Sequence, residues 1–362
     1  MQLPLTRSAI DQGIARGLHS GTQLCVLRNG QPLADLAIGN ARIDVPMTPD
    51  TLMLWLSAGK PITAVAIAML MERGLLVFDD PVARHIPEFA ANGKAAITIR
   101  QLLTHTAGIR AADLKYPFAT WEETIQSICA MHIERDWVPG QKAGYHTHAS
   151  WYILGEIINR VTGAAHDRWI RENLFLPLGM KDTWLAMDAA TYHAYGERIG
   201  FLYDTTREPM APVPNVDTEL AASRPRPSAS GRGPMHDLAR FYEMLRNGGS
   251  LDGVRILSET TVREMTSRQR VGMLDLTFRQ TIDWGLGFIV HSSHYGPAIP
   301  YQFGLASPET FGHGGSQSST GFCDPVNRLA VALVFNGCPG EPAHDKRMRT
   351  VLAALYRDLG IG

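Results

Sequence analysis

The chain has 362 residues, enough for two domains or for one domain carrying a large insertion. Hydrophobic residues make up 45% and charged residues 19%, which excludes intrinsic disorder and allows a sizeable core. With 34 Lys+Arg against 35 Asp+Glu, the net charge of -1 argues against electrostatic recruitment to nucleic acid or to an anionic membrane.

Cys25, Cys129, Cys323 and Cys338 lie far apart with no CxxC pair, so free buried thiols are expected rather than a disulfide framework or a zinc knuckle. The opening MQLPLTRSAIDQGIARG lacks the basic start and apolar run of a signal peptide. No stretch approaches about 18 uninterrupted apolar residues. A cytoplasmic protein without a membrane partner is the expectation.

In chain order, residues 8–18 read as a short helix. Residues 22–28 and 31–38 read as strands around Asn29-Gly30, the dipeptide that best tolerates a tight hairpin. Ile62, Val65, Met69 and Leu70 follow helical spacing, with Pro61 in the first turn and Gly74 past the end. Thr98 and Gln101 read as a capping box opening a helix over 99–106, which Gly108 closes. Trp151, Leu154, Ile158 and Val161 mark another helix, ending at Gly163. Prolines interrupt every period between 203 and 234, a long loop of the functional or connecting kind. Leu238, Phe241 and Leu245 then mark a helix ending near Gly248-Gly249. Strands over 320–323 and 329–336 flank the turn Asp324-Pro325-Val326-Asn327, and a helix follows over 343–359. This pattern predicts an α/β domain built from residues 1–80 and 235–362, with a mostly helical insertion over 81–234.

There is no G-x-S-x-G elbow, no phosphate-binding loop, no H-E-x-x-H and no spaced cysteine–histidine set. His146 and His148 form the one close histidine pair, read as loop polarity ahead of metal ligation, so no metal and no cofactor are expected. What stands out is Ser57-Ala58-Gly59-Lys60, the one S-x-x-K in the chain. On the first turn of a helix, residues three apart share a face. A serine hydroxyl needs a base to become a nucleophile, and a lysine whose pKa is depressed by burial can be that base. The backbone N–H of Ser57 could also stabilise an oxyanion at a helix N-terminus.

The segment from Thr48-Pro49-Asp50-Thr51 through Ser57-Ala58-Gly59-Lys60 to Met71-Glu72-Arg73-Gly74 resembles the serine β-lactamase superfamily, in its class C and family VIII carboxylesterase-like branch. The resemblance continues through Ile97-Thr98-Ile99-Arg100-Gln101-Leu102-Leu103-Thr104-His105-Thr106-Ala107-Gly108 and Pro177-Leu178-Gly179-Met180-Lys181-Asp182-Thr183. It extends to residues 241–249 and Phe311-Gly312-His313-Gly314-Gly315, in order and spacing, covering about residues 20–340. It implies a fold like that of β-lactamases and penicillin-binding proteins: an antiparallel sheet flanked by helices, a mostly helical domain, and the active site between them.

The family's second motif is tyrosine–x–asparagine. Tyr145 matches its tyrosine, while Thr147 occupies the asparagine position and the run to Gly155 is about one residue longer than usual. Against a catalytic Tyr145 stands a core tyrosine with His146 in the chemistry instead. The third motif, lysine-threonine-glycine in true β-lactamases, aligns with His313-Gly314-Gly315, which implies that this strand edges the site and that the Ser316 N–H is the second oxyanion donor. A neutral histidine there favours uncharged esters, although a merely structural strand histidine is the alternative. Trp55 and Tyr116 are the aromatic residues singled out for substrate contact, with Phe118, Trp151, Trp284 and Phe288 as further pocket candidates and the loops over 111–121 and 203–234 shaping the pocket. His105 reads as a buried, helix-locking histidine.

The expected activity is therefore two-step acyl transfer through Ser57, with Lys60 as base and Tyr145 in the same hydrogen-bond network. Small acyl or aryl esters are the expected substrates. An amide hydrolase (β-lactamase, D-amino-acid peptidase or amidase), an acyltransferase, and a silent binding protein on the same fold are the alternatives.

Overall fold

Residues from both ends of the chain interleave in one sheet. In the computed structural model, which describes residues 2–110, 112, 114–296, 299 and 302–361, the early strands are β1 (Gly21–Arg28), β2 (Gln31–Arg42) and β3 (Val45–Pro46). The late strands are β4 (Ile289–Val290), β5 (Phe311–Gly314), β6 (Ser319–Asp324) and β7 (Leu329–Phe335), and the spatial order is β4-β5-β6-β7-β1-β2-β3. Neighbours run antiparallel, with β1 registered on β7 from Thr22 opposite Phe335 to Arg28 opposite Leu329. Asn29 and Gly30 turn the first hairpin at φ 52° and 78°, the left-handed geometry their types allow.

Both faces of the sheet are covered, and side-chain alternation assigns each residue its layer. Leu24, Val26, Val331, Leu333 and Phe335 pack with Ile10 of helix α1 (Pro4–Ala15) and with residues near the chain's end. Cys25, Ala330, Ala332 and Val334 point the other way, into a cluster that includes Ile62 and Val65 of α2 (Lys60–Glu72). The same cluster runs on to Ile153 and Leu154 of α3 (Ala149–Thr162) and to Leu238 and Tyr242 of α4 (Met235–Arg246). The helical stretch after α2 therefore shares the core beneath the sheet. Helix α5 (Glu341–Asp358) lies along α1 and closes the first face through Leu352, Leu355 and Tyr356.

Several ends differ from the sequence reading. Helix α1 starts at Pro4, because a proline at the first helical position forfeits no hydrogen bond. The Thr98–Gln101 capping box forms, but its helix stops at Leu103, where His105 takes a left-handed φ of 59°. Residues 203–234 hold two-residue strands and one short helix, Glu219–Ser223. Cys25, Cys129 and Cys323 are buried free thiols, and Cys338 is half-buried. Among the described residues no helix is long and apolar enough to cross a membrane.

Candidate active site

Ser57 sits on a single 3-10 turn, Leu56–Gly59, that leads directly into α2, rather than on the first α-helical turn. Leu56, just before it, has φ 50°, a conformation costing a leucine on the order of 1–3 kcal/mol and sustained only by its surroundings. Neighbouring segments hold it from two sides. Trp55 N–H donates to Gly231 O at 2.7 Å, the Trp55 indole N–H to Gly233 O at 2.9 Å, and Ser319 Oγ to Trp55 O. From the sheet side, Gly315 comes so near that a Cβ would lie 2.4 Å from Trp55 O and 3.2 Å from Leu56 Cβ. Ser57 itself is half-buried and reachable.

Lys60 Nζ lies 2.9 Å from Ser57 Oγ and donates to Ser228 O at 3.0 Å. The side chain is fully buried, with Nζ 5.1 Å from the centre of the Tyr145 ring and 5.5 Å from that of Trp151. Among the described residues no carboxylate pairs with it. Burial, reinforced by the positive charge of Arg226, holds its pKa well below the ordinary lysine value. Burial thus favours the neutral amine, the form that can take the serine proton.

Tyr145 is held from behind. Its N–H donates to Asp275 Oδ1 at 3.0 Å, and Asp275 is ion-paired with Arg270 at 3.1 Å, both side chains being 1% exposed or less. Thr277 Oγ1 donates to Tyr145 O at 3.1 Å, and the ring packs 4.8 Å from His105 and 4.9 Å from Phe278. Burial dominates and raises the Tyr145 pKa against the downward pull of the Ser57 hydroxyl, so the phenol keeps its proton. His105 accepts the His146 N–H on Nδ1 at 2.9 Å. His146 in turn accepts the N–H groups of Gly108 and Ile109 on Nε2 at 3.2 and 3.3 Å. Burial lowers the His146 pKa to about 3 and holds that of His105 well below its ordinary value. Both are neutral braces of the Tyr145 loop; the other His146 nitrogen, Nδ1, is enclosed without a partner.

Thr147 is exposed and makes no side-chain hydrogen bond among the described residues. The next residue faces the site instead: His148 Nδ1 lies 2.8 Å from Ser228 Oγ, and burial, then Arg226 and Lys60, hold its pKa well below the usual value. Position 148, rather than 147, thus faces the Lys60 side of the site.

His313 on β5 is buried, and its Nδ1–H donates to Gly314 O at 2.7 Å. That fixes the tautomer and leaves Nε2 an enclosed acceptor without a partner. Burial and the neighbouring Lys60 lower its pKa to about 3, against the opposing pull of the Gly314 carbonyl, so the ring is neutral. Gly314 and Gly315 are buried, while Ser316 is exposed with Oγ donating to Glu341 Oε1 at 2.9 Å. Among the described residues the backbone N–H groups of Ser57 and Ser316 have no intramolecular acceptor. A half-exposed hydroxyl, a neutral amine, a protonated phenol and two unpaired N–H groups can together perform nucleophilic acyl transfer.

Not every aromatic candidate lines a pocket. Trp55, Trp151, Trp284 and Phe288 are fully buried, Trp55 wedged against Gly231 and Gly233, so they shape the site from within the core. Phe118 is 65% exposed. Tyr116 is half-buried and ties the two pocket loops together, its hydroxyl donating to Ala221 O at 2.7 Å. Ala111 and Asp113 lie outside the described residues. The sequence reading missed His148, Ser228 and Arg226, and the one available signal was an arginine held between Pro225 and Pro227. A cavity of about 690 Å³ lined by Leu245, Arg246, Glu259, Arg268 and Phe311 contains none of these groups. Among the described residues no group of three or more His, Cys, Asp or Glu could hold a metal ion.

The family profile described as Beta-lactamase matches residues 6–355. The chain is similar to "Esterase/beta-lactamase LipL" of Mycobacterium tuberculosis, with 29% identity over 350 residues spanning 87% of this chain and 77% of that protein. It is similar to a "Putative D-alanyl-D-alanine carboxypeptidase" of Escherichia coli, with 28% identity over 78% of this chain and 68% of that protein. Among solved structures, a family VIII carboxylesterase superposes with a TM-score of 0.78 at 28% identity, covering 98% of this chain and 97% of the other.

Proposed function

This chain belongs to the beta-lactamase family of serine hydrolases, and we propose that it is a carboxylic-ester hydrolase that forms an acyl-enzyme on Ser57. The observation that carries the reading is Lys60 Nζ at 2.9 Å from Ser57 Oγ, buried and, among the described residues, without a carboxylate partner. Lys60 takes the hydroxyl proton as Oγ attacks the ester carbonyl, and the N–H groups of Ser57 and Ser316 hold the oxyanion. Tyr145 gives its phenolic proton to the departing alcohol and is reprotonated by Lys60. In the second half, water attacks the acyl-enzyme, its proton passes to the Lys60–Tyr145 pair, and Ser57 Oγ leaves with a proton returned from Lys60. General base and oxyanion donors each contribute factors of about 10²–10⁴ to such a reaction.

Esters are favoured over β-lactams and peptides because the strand presents neutral His313 where a fixed lysine cation would hold a substrate carboxylate, and because Thr147 stands at the position of the family's asparagine amide. The likeness to a family VIII carboxylesterase supports the same reading. The test is turnover of p-nitrophenyl butyrate, a chromogenic cephalosporin and a D-alanyl-D-alanine peptide by one preparation, with Ser57→Ala as control and with alcohol titrated in. Ester hydrolysis that vanishes in Ser57→Ala and outruns both amide substrates is expected. Faster cephalosporin or peptide cleavage would transfer the assignment to an amide hydrolase, and alcohol outcompeting water to an acyltransferase.

A further inference from the structure

The Pro-rich stretch carries a cation, Arg226, that no carboxylate among the described residues neutralises. Arg226 lies between Pro225 and Pro227, its N–H donating to Ser230 Oγ at 2.8 Å and its carbonyl accepting from the N–H groups of Ala229 and Ser230. That turn is rigid: one proline precedes, another follows, and three hydrogen bonds close it. The guanidinium lies 4.0 Å over the Tyr116 ring, which fixes its plane. Two residues on, Ser228 offers its carbonyl to Lys60 Nζ and its hydroxyl to His148, so the cation stands beside the nucleophile's base.

Among the described residues the Arg226 side chain has neither an ion pair nor a hydrogen bond, and its Nε is enclosed without a partner. Three other enclosed guanidinium groups are answered. Arg232 pairs with Asp217 at 2.8 Å, Arg270 with Asp275 at 3.1 Å, and Arg347 donates to the carbonyls of Leu18 and Gly337 at 2.6 and 3.0 Å. Nearby Arg224 likewise has an enclosed Nε without a partner, but it lacks the stacking on Tyr116 and the place beside Lys60 that Arg226 has. Withdrawing a guanidinium from water without a counter-charge is costly, and its planar fork of donors matches a carboxylate. His148 and His313 are neutral and burial shifts Lys60 toward its neutral amine, so the single guanidinium of Arg226 suits a monoanion rather than a phosphate dianion.

We propose that Arg226 is a specificity-determining residue that binds a carboxylate carried by the ester substrate, as in a half-ester of a dicarboxylic acid. The proposal rests on the hydrolase reading above and supplies from the Lys60 side the charge that the β5 strand lacks. A charge-assisted, two-pronged contact of this kind corresponds to about 10- to 100-fold in kcat/KM.

The test compares p-nitrophenyl butyrate with mono-p-nitrophenyl glutarate, and phenyl butyrate with 4-(butyryloxy)benzoate, in the natural protein, Arg226→Gln and Arg226→Lys. The first pair places the carboxylate on the acyl half and the second on the leaving half. One charged ester is expected to exceed its neutral counterpart about tenfold or more, the ratio collapsing to unity or below in Arg226→Gln and staying intermediate in Arg226→Lys. Calorimetry of glutarate and benzoate binding to the Ser57→Ala protein reads the same site without turnover, and binding is expected to vanish when Arg226→Gln is added. Ratios at or below unity in the natural protein overturn the proposal. So does an Arg226→Gln variant that shifts only the acid limb of the pH profile and leaves the ratio unchanged, because Arg226 would then serve Lys60 alone. If no ester is hydrolysed but glutarate or benzoate binds through Arg226, the hydrolase reading fails and the carboxylate site stands. Should Arg226→Gln not fold, Arg226→Lys and the natural protein's ratios decide.

Discussion

A Cβ on Gly315 would stand 2.4 Å from the carbonyl oxygen of Trp55, so the strand bearing Ser316 and the turn bearing Ser57 meet backbone to backbone. Any side chain at 315 must push these two segments apart, and the unpaired N–H groups of Ser57 and Ser316 with them. Gly315→Ala is therefore expected to lower kcat/KM about 10²–10³-fold, as removal of an oxyanion donor does. Steady-state kinetics on p-nitrophenyl butyrate would show it, and near-normal turnover would mean that the two N–H groups do not act together.

Trp55 is a structural residue despite its place beside the nucleophile. Replacing it by Phe leaves Gly233 O without its indole donor and is expected to cost about 1–3 kcal/mol of stability. KM should stay within a factor of about two, well under the 1.4 kcal/mol that a tenfold change represents. Urea unfolding and a substrate titration together check this; a large KM change with unaltered stability would return Trp55 to the pocket wall.

Behind Tyr145, the Asp275–Arg270 pair is almost wholly shielded from water. Asp275→Asn strands a buried guanidinium and should destabilise the protein by about 3–5 kcal/mol. Asp275 also accepts the N–H groups of Tyr145, Thr277 and Phe278, so kcat is expected to fall as the Tyr145 loop loosens. Denaturation midpoints measured for Asp275→Asn, Arg270→Met and the double variant would reveal the coupling, and simple additivity would rule it out.

Acid should weaken the fold through its neutral histidines. His146 and His313 titrate near 3 in the native protein, whereas an unfolded histidine titrates near about 6.5. Between those values the unfolded chain binds protons that the native chain does not, so stability is complete above about pH 6.5 and declines as pH falls toward 3. Each such histidine adds a slope of at most about 1.4 kcal/mol per pH unit. Urea midpoints at pH 7 and pH 5 measure it, and a flat dependence would show these rings to be hydrated. For Lys60 the displacement is also downward, so kcat/KM should rise with pH and level off below the ordinary lysine range as the amine loses its proton. Lys60→Met should lose about 10²–10⁴-fold, the contribution of a general base.

Local chemistry announced much of this molecule. Asn29-Gly30 turns a hairpin because its two residues accept left-handed backbone, and Thr98 with Gln101 caps a helix because their side chains reach each other's backbone. The Ser57–Lys60 spacing survives even though the turn is 3-10 rather than α, since three residues still bring the two side chains together. What local pattern could not tell was which aromatic residues face solvent. The direction of Trp55 is set by Gly231 and Gly233, and its indole partner lies 178 positions away. His148 replaced Thr147 at Lys60 for a similar reason, because helix α3 decides the rotation of the residues leading into it. Arg226 was hidden in a stretch whose prolines erase periodicity, although those prolines are what hold it still.

The Asn336 side chain accepts the Gly21 N–H across 315 positions of sequence, and β7 lies between β1 and β6 in the sheet. On a ribosome, the hairpin of β1 and β2 therefore emerges long before the strand that completes it. Until β7 arrives, β5 and Ser316 have no platform from which to approach Ser57, and the buried lysine has no dry interior to depress its basicity. The nascent chain is consequently silent as a catalyst until β7 docks against β1.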